Sequence, residues 1–265
     1  MNWFTKMFSS SIGQKLLVAL TGLFLCTFLI IHVTGNLQLF KNDNGLSFNT
    51  YTVFMTTNPL IKTVSYILYA SILLHAFKGL NLVFKNRAAR PVQYDTVNGK
   101  ANSHWTSRNM GILGTIVLAF IIVHMSNFWA EYKFGHVPYV KYTQNMITGE
   151  VSQPAPYLDE AGSPKTLDKK MEEYVEGDNK IIIVKDLYGI TAGAFKNVAL
   201  VILYVLSMFA IAFHLFHGFK SGFQTLGLNH PRYNPVIRFL SLWVFAIIIP
   251  ALFAAMPLYF LLLVK

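Results

Sequence analysis

The stretch LLVALTGLFLCTFLIIHVTGNLQLF, residues 16–40, decides the fold class of this chain. It contains no Asp, Glu, Lys or Arg, and it is longer than the about 20 apolar residues that a membrane-spanning helix needs. Lys6 and Lys15 precede it, as basic residues precede a signal peptide. However, residues 16–33 exceed the usual apolar region of about 7–15 residues, and no A-x-A-like site follows. We therefore expect a retained transmembrane helix.

Four further stretches have the same character, and all five lack Asp and Glu in their interiors: residues 60–84, 110–129, 198–219 and 236–264. The composition agrees, since hydrophobic residues make up 54% of the 265 residues and charged residues only 13%, against about 25% charged in soluble domains. These values exclude a disordered chain and argue against a soluble enzyme. The sequence predicts an all-α integral membrane protein with five transmembrane helices. Pro250 and Pro257 predict a kink or tilt in the last one.

The distribution of basic residues predicts the topology. A net charge of +10 would suggest nucleic acid for a soluble protein. Here the basic residues stand between apolar runs, so the positive-inside rule applies and no nucleic-acid partner is expected. The N-terminus and the links after the second and fourth spans are then cytoplasmic, and the C-terminal Lys265 lies outside. The link after the second span holds five basic residues against Asp95: Lys85, Arg87, Arg90, Lys100 and Arg108.

The link between the third and fourth spans, residues 131–196, is long and carries 10 of the 12 acidic residues. We interpret it as a partly ordered external segment within a single transmembrane domain, residues 1–265. Residues 167–174 within it are compatible with a helix.

Four histidines lie deep in the first four apolar stretches: His32, His75, His124 and His214. An ionisable residue in a span costs about 2.5 kcal/mol or more when charged, so it is a functional candidate. The alternative is a neutral histidine that bonds to a neighbouring helix, which is worth about 0.6 kcal/mol. Each histidine lies roughly 21–24 Å into its span, and successive spans run in opposite directions. His32 and His124 therefore share one level and His75 and His214 another, which predicts two bis-histidine sites.

Glycines accompany these histidines at repeated spacings. Both His75 and His214 begin an H-x-F-x-G motif, which ends at Gly79 and Gly218. A glycine one turn from a histidine shares its helix face and leaves room for a flat ligand. Two further glycines stand ten residues before the other histidines: Gly22 before His32 and Gly114 before His124.

Haem fits this pattern better than a bare metal ion. Zinc or copper needs three or four converging ligands, and the single Cys26 excludes a multi-cysteine site. Haem iron needs two axial ligands, so four of the helices are expected to form a haem-binding bundle. His217 is the rival of His214 as a ligand. The remaining histidines are weaker candidates: His104, His136 and His230.

With these motifs, the chain resembles the cytochrome b membrane anchor of succinate dehydrogenases and fumarate reductases, in its bacterial single-chain, five-helix, two-haem form. The resemblance spans about residues 16–260. It rests on four histidine contexts, namely Thr21-Gly22-x9-His32, His75-x3-Gly79, Gly114-x9-His124 and His214-x3-Gly218, together with Gly227. It implies two haem b groups whose iron atoms are held by His75 with His214 and by His32 with His124.

The resemblance also implies partners and a location. The chain would pass electrons between an iron–sulfur subunit and membrane quinone, menaquinone in this type, with no catalysis of succinate chemistry by itself. FAD and the iron–sulfur clusters would belong only to the partner subunits, a flavoprotein and an iron–sulfur protein. The complex would lie in the lipid of the bacterial cytoplasmic membrane, as part of a respiratory chain. The nearest polar groups for a quinone headgroup are Asn36, Gln38 and Asp43.

Two other functions fit some of these features. A cytochrome b subunit of a hydrogenase or formate dehydrogenase also uses membrane histidines. A non-haem transporter could use a histidine proton relay, although the sequence shows no inverted repeat with broken helices. The chain also departs from the resembled family in its longer external segment and in the lack of a carboxylate within the predicted spans.

Overall fold

The computed structural model describes residues 2, 6, 8–89 and 103–264. Four basic or acidic residues used above for the topology lie outside the described residues: Arg90, Asp95, Lys100 and Lys265.

The described part of the chain is mostly helical, and five of its helices are long and apolar enough to cross a membrane. The predicted helical membrane fold is therefore confirmed. The spans extend a few residues beyond most of the predicted bounds, because capping turns and polar helix ends continue each helix past its apolar part. Their bounds are Ser11–Phe40, Pro59–Ala88, Met110–Phe134, Val198–Thr225 and Asn234–Leu262.

Two of the spans contain a π-helical segment. In the third span it covers Met125–Ala130 and begins directly after His124. In the fifth span it covers Leu240–Ile248 and ends two residues before Pro250, the first of the two prolines that predicted an irregular helix. Proline has no amide hydrogen to donate, so the wider helix ahead of it absorbs the lost bond.

The chain divides into two compact units. The first comprises Met1–Ile31, Ser65–Ile121 and Leu203–Ala255, and it contains His75 and His214. The second comprises the rest: His32–Val64, Ile122–Ile202 and Met256–Lys265. It contains His32 and His124, so each predicted pair lies within a unit of its own.

The segment between the third and fourth spans contains a small antiparallel sheet that the sequence analysis did not predict. Its strands are β1 (Tyr139–Asn145), β2 (Ala155–Pro156), β3 (Met171–Glu176) and β4 (Asn179–Lys185), in the order β2-β1-β4-β3. The helix suggested at residues 167–174 is wrong, because most of β3 lies there. Strand β3 pairs along its length with β4, and its residues 171–174 lie opposite the buried, β-branched Ile181–Val184 run, so pairing satisfies the β3 backbone.

A short helix, Leu46–Thr57, packs against one face of this sheet. Asn49 in this helix is fully buried, and its side-chain amide donates to Tyr142 Oη and Asp186 Oδ1, both at 3.1 Å. Its Oδ1 accepts from the Tyr188 amide at 2.8 Å. Because every polar atom of this side chain is used, Asn49 fixes the helix to β1 and to the helix Leu187–Ala194 that follows β4.

Candidate functional site: two histidine pairs

The first histidine pair joins the second and fourth spans. The rings of His75 and His214 have centroids 6.2 Å apart and planes inclined by 73°. His214 rather than His217 faces His75, so the structure separates the two rival candidates. The H-x-F-x-G repeat had favoured the same choice.

The His75 ring is oriented by the first span. Its Nδ1 lies 3.1 Å from the Val18 carbonyl oxygen and 3.2 Å from Thr21 Oγ1. A carbonyl oxygen can only accept, so Nδ1 carries the ring proton in this contact. The lone pair of Nε2 is then left for another ligand. A backbone carbonyl that accepts from the other ring nitrogen is usual behind a metal-binding histidine.

The His214 ring is placed differently. Its Nδ1 is buried and has no hydrogen-bond partner among the residues that the structure describes. Among the described residues, no group therefore fixes the tautomer of His214 through a hydrogen bond to Nδ1. Buried polar atoms without a partner are rare in proteins, so an unfilled contact here fits a ligand.

Two of the glycines at repeated spacings lie against these rings rather than beside an open space. A Cβ atom at Gly22 would lie 2.9 Å from His75 Cε1, and one at Gly114 would lie 3.4 Å from His214 Cε1. The sequence spacing had associated Gly22 with His32 and Gly114 with His124. In the structure each glycine instead makes room for an imidazole on a neighbouring span.

The two H-x-F-x-G glycines are in looser surroundings. A Cβ atom at Gly79 would meet none of the described atoms within 4 Å, and one at Gly218 would meet only the end of the flexible Met110 side chain, at 3.3 Å.

The second histidine pair joins the first and third spans. The rings of His32 and His124 have centroids 5.8 Å apart and planes inclined by 79°. One turn after His32, the Asn36 amide donates to the His32 carbonyl oxygen at 2.7 Å and lies 3.2 Å from its Nδ1. His124 immediately precedes the π-helical segment of the third span and also contacts Phe128. The contacts of His32 with Asn36 and of His124 with Phe128 thus all lie within the second unit.

The separations within the pairs suit one metal ion between each two rings. A metal bound to two imidazole nitrogens at about 2.0–2.1 Å places the ring centroids about 6 Å apart. Both observed separations, 6.2 and 5.8 Å, agree with that value. Among the described residues, no group of three or more His, Cys, Asp or Glu side chains is placed to hold a metal ion. Each pair offers two imidazole donors, which is a donor set that a haem iron accepts.

The other histidines lie elsewhere. His104 Nδ1 is 2.9 Å from Thr106 Oγ1 and its ring contacts Phe216. His230 is exposed and contacts Tyr233, and His136 is exposed in the segment after the third span. None of the three faces a second histidine in a ring contact that the structure records for the described residues.

The polar groups suggested for a quinone headgroup differ in availability. Asp43 caps the Leu46–Thr57 helix, because its carboxylate accepts from the Gly45 and Ser47 amides at 3.2 and 2.9 Å. The Asn36 side-chain amide already donates to the His32 carbonyl oxygen. Gln38 differs, since its Oε1 is buried and has no hydrogen-bond partner among the described residues. Of the three, Gln38 is therefore the residue with a side-chain atom left to hydrogen-bond a quinone headgroup.

Comparison with known proteins gives no relative: no family model, no curated protein and no solved structure matches the chain at a significant level.

Proposed function

We propose that this chain is the di-haem cytochrome b membrane anchor of a succinate:quinone oxidoreductase, and that it passes electrons between an iron–sulfur subunit and membrane quinone. The observation that carries the proposal is the presence of two facing histidine pairs, with ring centroids 6.2 and 5.8 Å apart, on four helices that can span a membrane.

Each pair would supply two imidazole ligands to one haem iron. His75 and His214 would hold one haem b, and His32 and His124 the other. When bound, haem b supplies a one-electron redox couple. The chain supplies ligation and orientation: Val18 and Thr21 set the direction of the His75 ring, and a histidine whose Nδ1 proton is shared with a carbonyl is a stronger donor through Nε2.

The partner assignment rests on the resemblance of the four histidine contexts. A flavoprotein with FAD and an iron–sulfur subunit would dock on the face to which the positive-inside rule assigns the cytoplasm. Described basic residues at that face include Lys85 and Arg87 in the last turn of the second span and Arg108 just before the third. Acidic surfaces on a docking subunit would complement them.

Quinone, menaquinone in the resembled type, would react near the His32 and His124 pair. Gln38 supports this placement, because it follows His32 on the same span and its side-chain oxygen is a buried acceptor that has no donor among the described residues. A quinol hydroxyl could donate to that oxygen, and the amide nitrogen could donate to a quinone carbonyl.

The test is the haem content per polypeptide together with the reduced-minus-oxidised spectrum, measured on the purified chain. We expect two b-type haems. His75→Ala and His32→Ala should each remove about half of the haem, and the two variants should lose spectrally different components. His136→Ala, which changes an exposed histidine, is the matched control and should keep both.

Two outcomes of this measurement would contradict the proposal in whole or in part. A folded chain that stays colourless when supplied with ample haem contradicts the cytochrome assignment. If the haem is present but the native complex contains a hydrogenase or formate dehydrogenase in place of a flavoprotein active on succinate, only the partner assignment is wrong.

A further inference from the structure

Three lysine side chains surround one tyrosine ring at the end of the third span. Lys170 Nζ lies 5.2 Å from the centroid of the Tyr132 ring, Lys185 Nζ lies 5.5 Å from it, and Lys133 Nζ lies 5.9 Å from it. Lys185 Nζ is also 5.8 Å from the centroid of the Tyr139 ring. We call Tyr132, Lys133, Lys170 and Lys185 the lysine cluster.

The lysine cluster has no acidic partner in the part of the chain that the structure describes. Within the described ranges none of its three lysines forms an ion pair, whereas Lys180 on the same sheet pairs with Glu173 at 2.8 Å. Cation–π contacts offset part of the mutual repulsion, at about 0.5–1 kcal/mol each where exposed. They do not neutralise charge, so the positive potential of three ammonium groups is left for an anion.

The cluster is held in place by the Leu46–Thr57 helix. Tyr132 Oη donates to Thr56 Oγ1 at 2.8 Å, and Lys170 Nζ donates to the Thr56 carbonyl oxygen at 3.3 Å. Lys170 thus satisfies a carbonyl at the C-terminal end of that helix. Lys133 and Lys185 make no hydrogen bond that the structure records among the described residues, so their donors are open to a ligand.

The position of the cluster along the chain identifies the kind of anion. Tyr132 and Lys133 lie in the last turn of a span, which ends at Phe134. Tyrosine and lysine at a span end lie at the level of the lipid head groups. Phe134 is 78% exposed beside them, as expected for a side chain in contact with acyl chains.

We propose that the lysine cluster binds the phosphate of an anionic phospholipid and so anchors the sheet-bearing segment to the membrane surface. The proposal is independent of the haem assignment. Lys133 and Lys185 donate to the phosphate oxygens, while Lys170 contributes its charge and keeps its bond to Thr56. An anionic head group is favoured over a zwitterionic one because only the former compensates the net charge of the cluster.

The experiment uses the full chain in phosphatidylcholine nanodiscs, with increasing phosphatidylglycerol, and counts bound lipid by native mass spectrometry. We expect the wild-type chain to prefer phosphatidylglycerol. The double variant Lys133→Gln/Lys185→Gln should lose about 25-fold in apparent affinity, about 5-fold for each lysine. Lys170 is left intact because of its structural bond, and a melting curve establishes that the variant is folded.

The matched control removes the same charge from the same segment. Lys165→Gln/Lys180→Gln takes away one lysine that lies over Tyr157 and one that is paired with Glu173. The control should keep the lipid preference. An equal loss in both double variants, or equal binding of phosphatidylglycerol and phosphatidylcholine, overturns the proposal. A third arm adds inorganic phosphate, and full displacement of the lipid by it would assign the site to a free anion instead.

Discussion

Gly22 on the first span and His75 on the second are in direct contact, since a Cβ atom at position 22 would lie only 2.9 Å from Cε1 of the His75 ring. The glycine therefore makes room for the imidazole. In the turn before the glycine, the Val18 carbonyl oxygen and Thr21 Oγ1 lie within hydrogen-bond distance of His75 Nδ1. One face of one helix thus sets both the depth and the direction of the His75 ring.

Gly22→Ala should displace the His75 ring, because a rigid ring carbon lies closer than Cβ atoms normally approach. We expect the haem content to fall to about half of the wild-type value, with loss of the component that His75→Ala also removes. The check is the reduced-minus-oxidised spectrum. Gly193→Ala, in a helix where a Cβ would meet none of the described atoms within 4 Å, should have no such effect. An unchanged spectrum for Gly22→Ala would show that this contact is dispensable.

Thr21→Val should weaken ligation by His75, because it removes the hydroxyl and keeps the side-chain shape. Loss of a group that hydrogen-bonds to a metal-binding histidine typically lowers metal affinity by about 10–100-fold. Since the Val18 carbonyl remains, we expect about 10-fold, measured by titrating haem into the haem-depleted chain. Thr21→Ser restores the hydroxyl and should restore the affinity. Equal behaviour of the valine and serine variants would contradict a role for this hydroxyl.

Gln38→Leu separates a quinone role from a purely structural one. If quinone uses this amide, the KM for a soluble menaquinone analogue should rise about 5- to 30-fold, since a hydrogen bond to a buried polar group is lost. The haem spectrum should stay the same. Because the buried Gln38 Oε1 has no hydrogen-bond partner among the described residues, an apolar side chain in its place should at the same time raise the melting temperature. Higher stability with an unchanged KM would exclude Gln38 from the quinone site.

Asn49→Ala should loosen the sheet. The substitution leaves Tyr142, Asp186 and the Tyr188 amide without their shared partner, and we expect a loss of about 2–4 kcal/mol in local stability. Hydrogen exchange of the β1 and β4 amides measures this directly. Gln153→Ala, which removes an exposed amide bonded to Asn44, is the control and should leave the exchange unchanged.

Tyr142 should make the same sheet sensitive to alkali. Burial, followed by the nearby Asp186 carboxylate, raises its pKa above the ordinary value of 10.0. Between that value and the raised pKa the unfolded chain loses the phenol proton while the folded chain keeps it. Stability is therefore complete below about pH 10 and falls by at most about 1.4 kcal/mol per pH unit above it. Hydrogen exchange of β1 at rising pH, corrected for its intrinsic pH dependence, measures the decline. Tyr142→Phe should flatten it, and an equal slope in both proteins would contradict this origin.

The sequence contained a signal for the hairpin of β3 and β4 that was not used in the prediction. Gly177 and Asp178 separate β3 from β4 by two residues, and Gly177 has a φ of 59°. A two-residue Gly-Asp link beside a β-branched run is a hairpin signal. The acidic, proline-containing composition of the segment instead suggested partial order. The helix Leu46–Thr57 was not predicted either, because its 12 residues are too few to span a membrane.

The sequence by itself determined the five membrane helices, and it predicted two levels with two histidines each. Length and apolarity decide whether a helix crosses a bilayer, and the alternating direction of successive spans decides which histidines share a level. The tertiary structure decided which rings meet and what orients them. It placed Gly22 against His75 and Gly114 against His214, paired His214 rather than His217 with His75, and gathered the lysine cluster around Tyr132. These contacts join residues that are distant in the chain, and helix rotation and packing, which no local pattern encodes, bring them together.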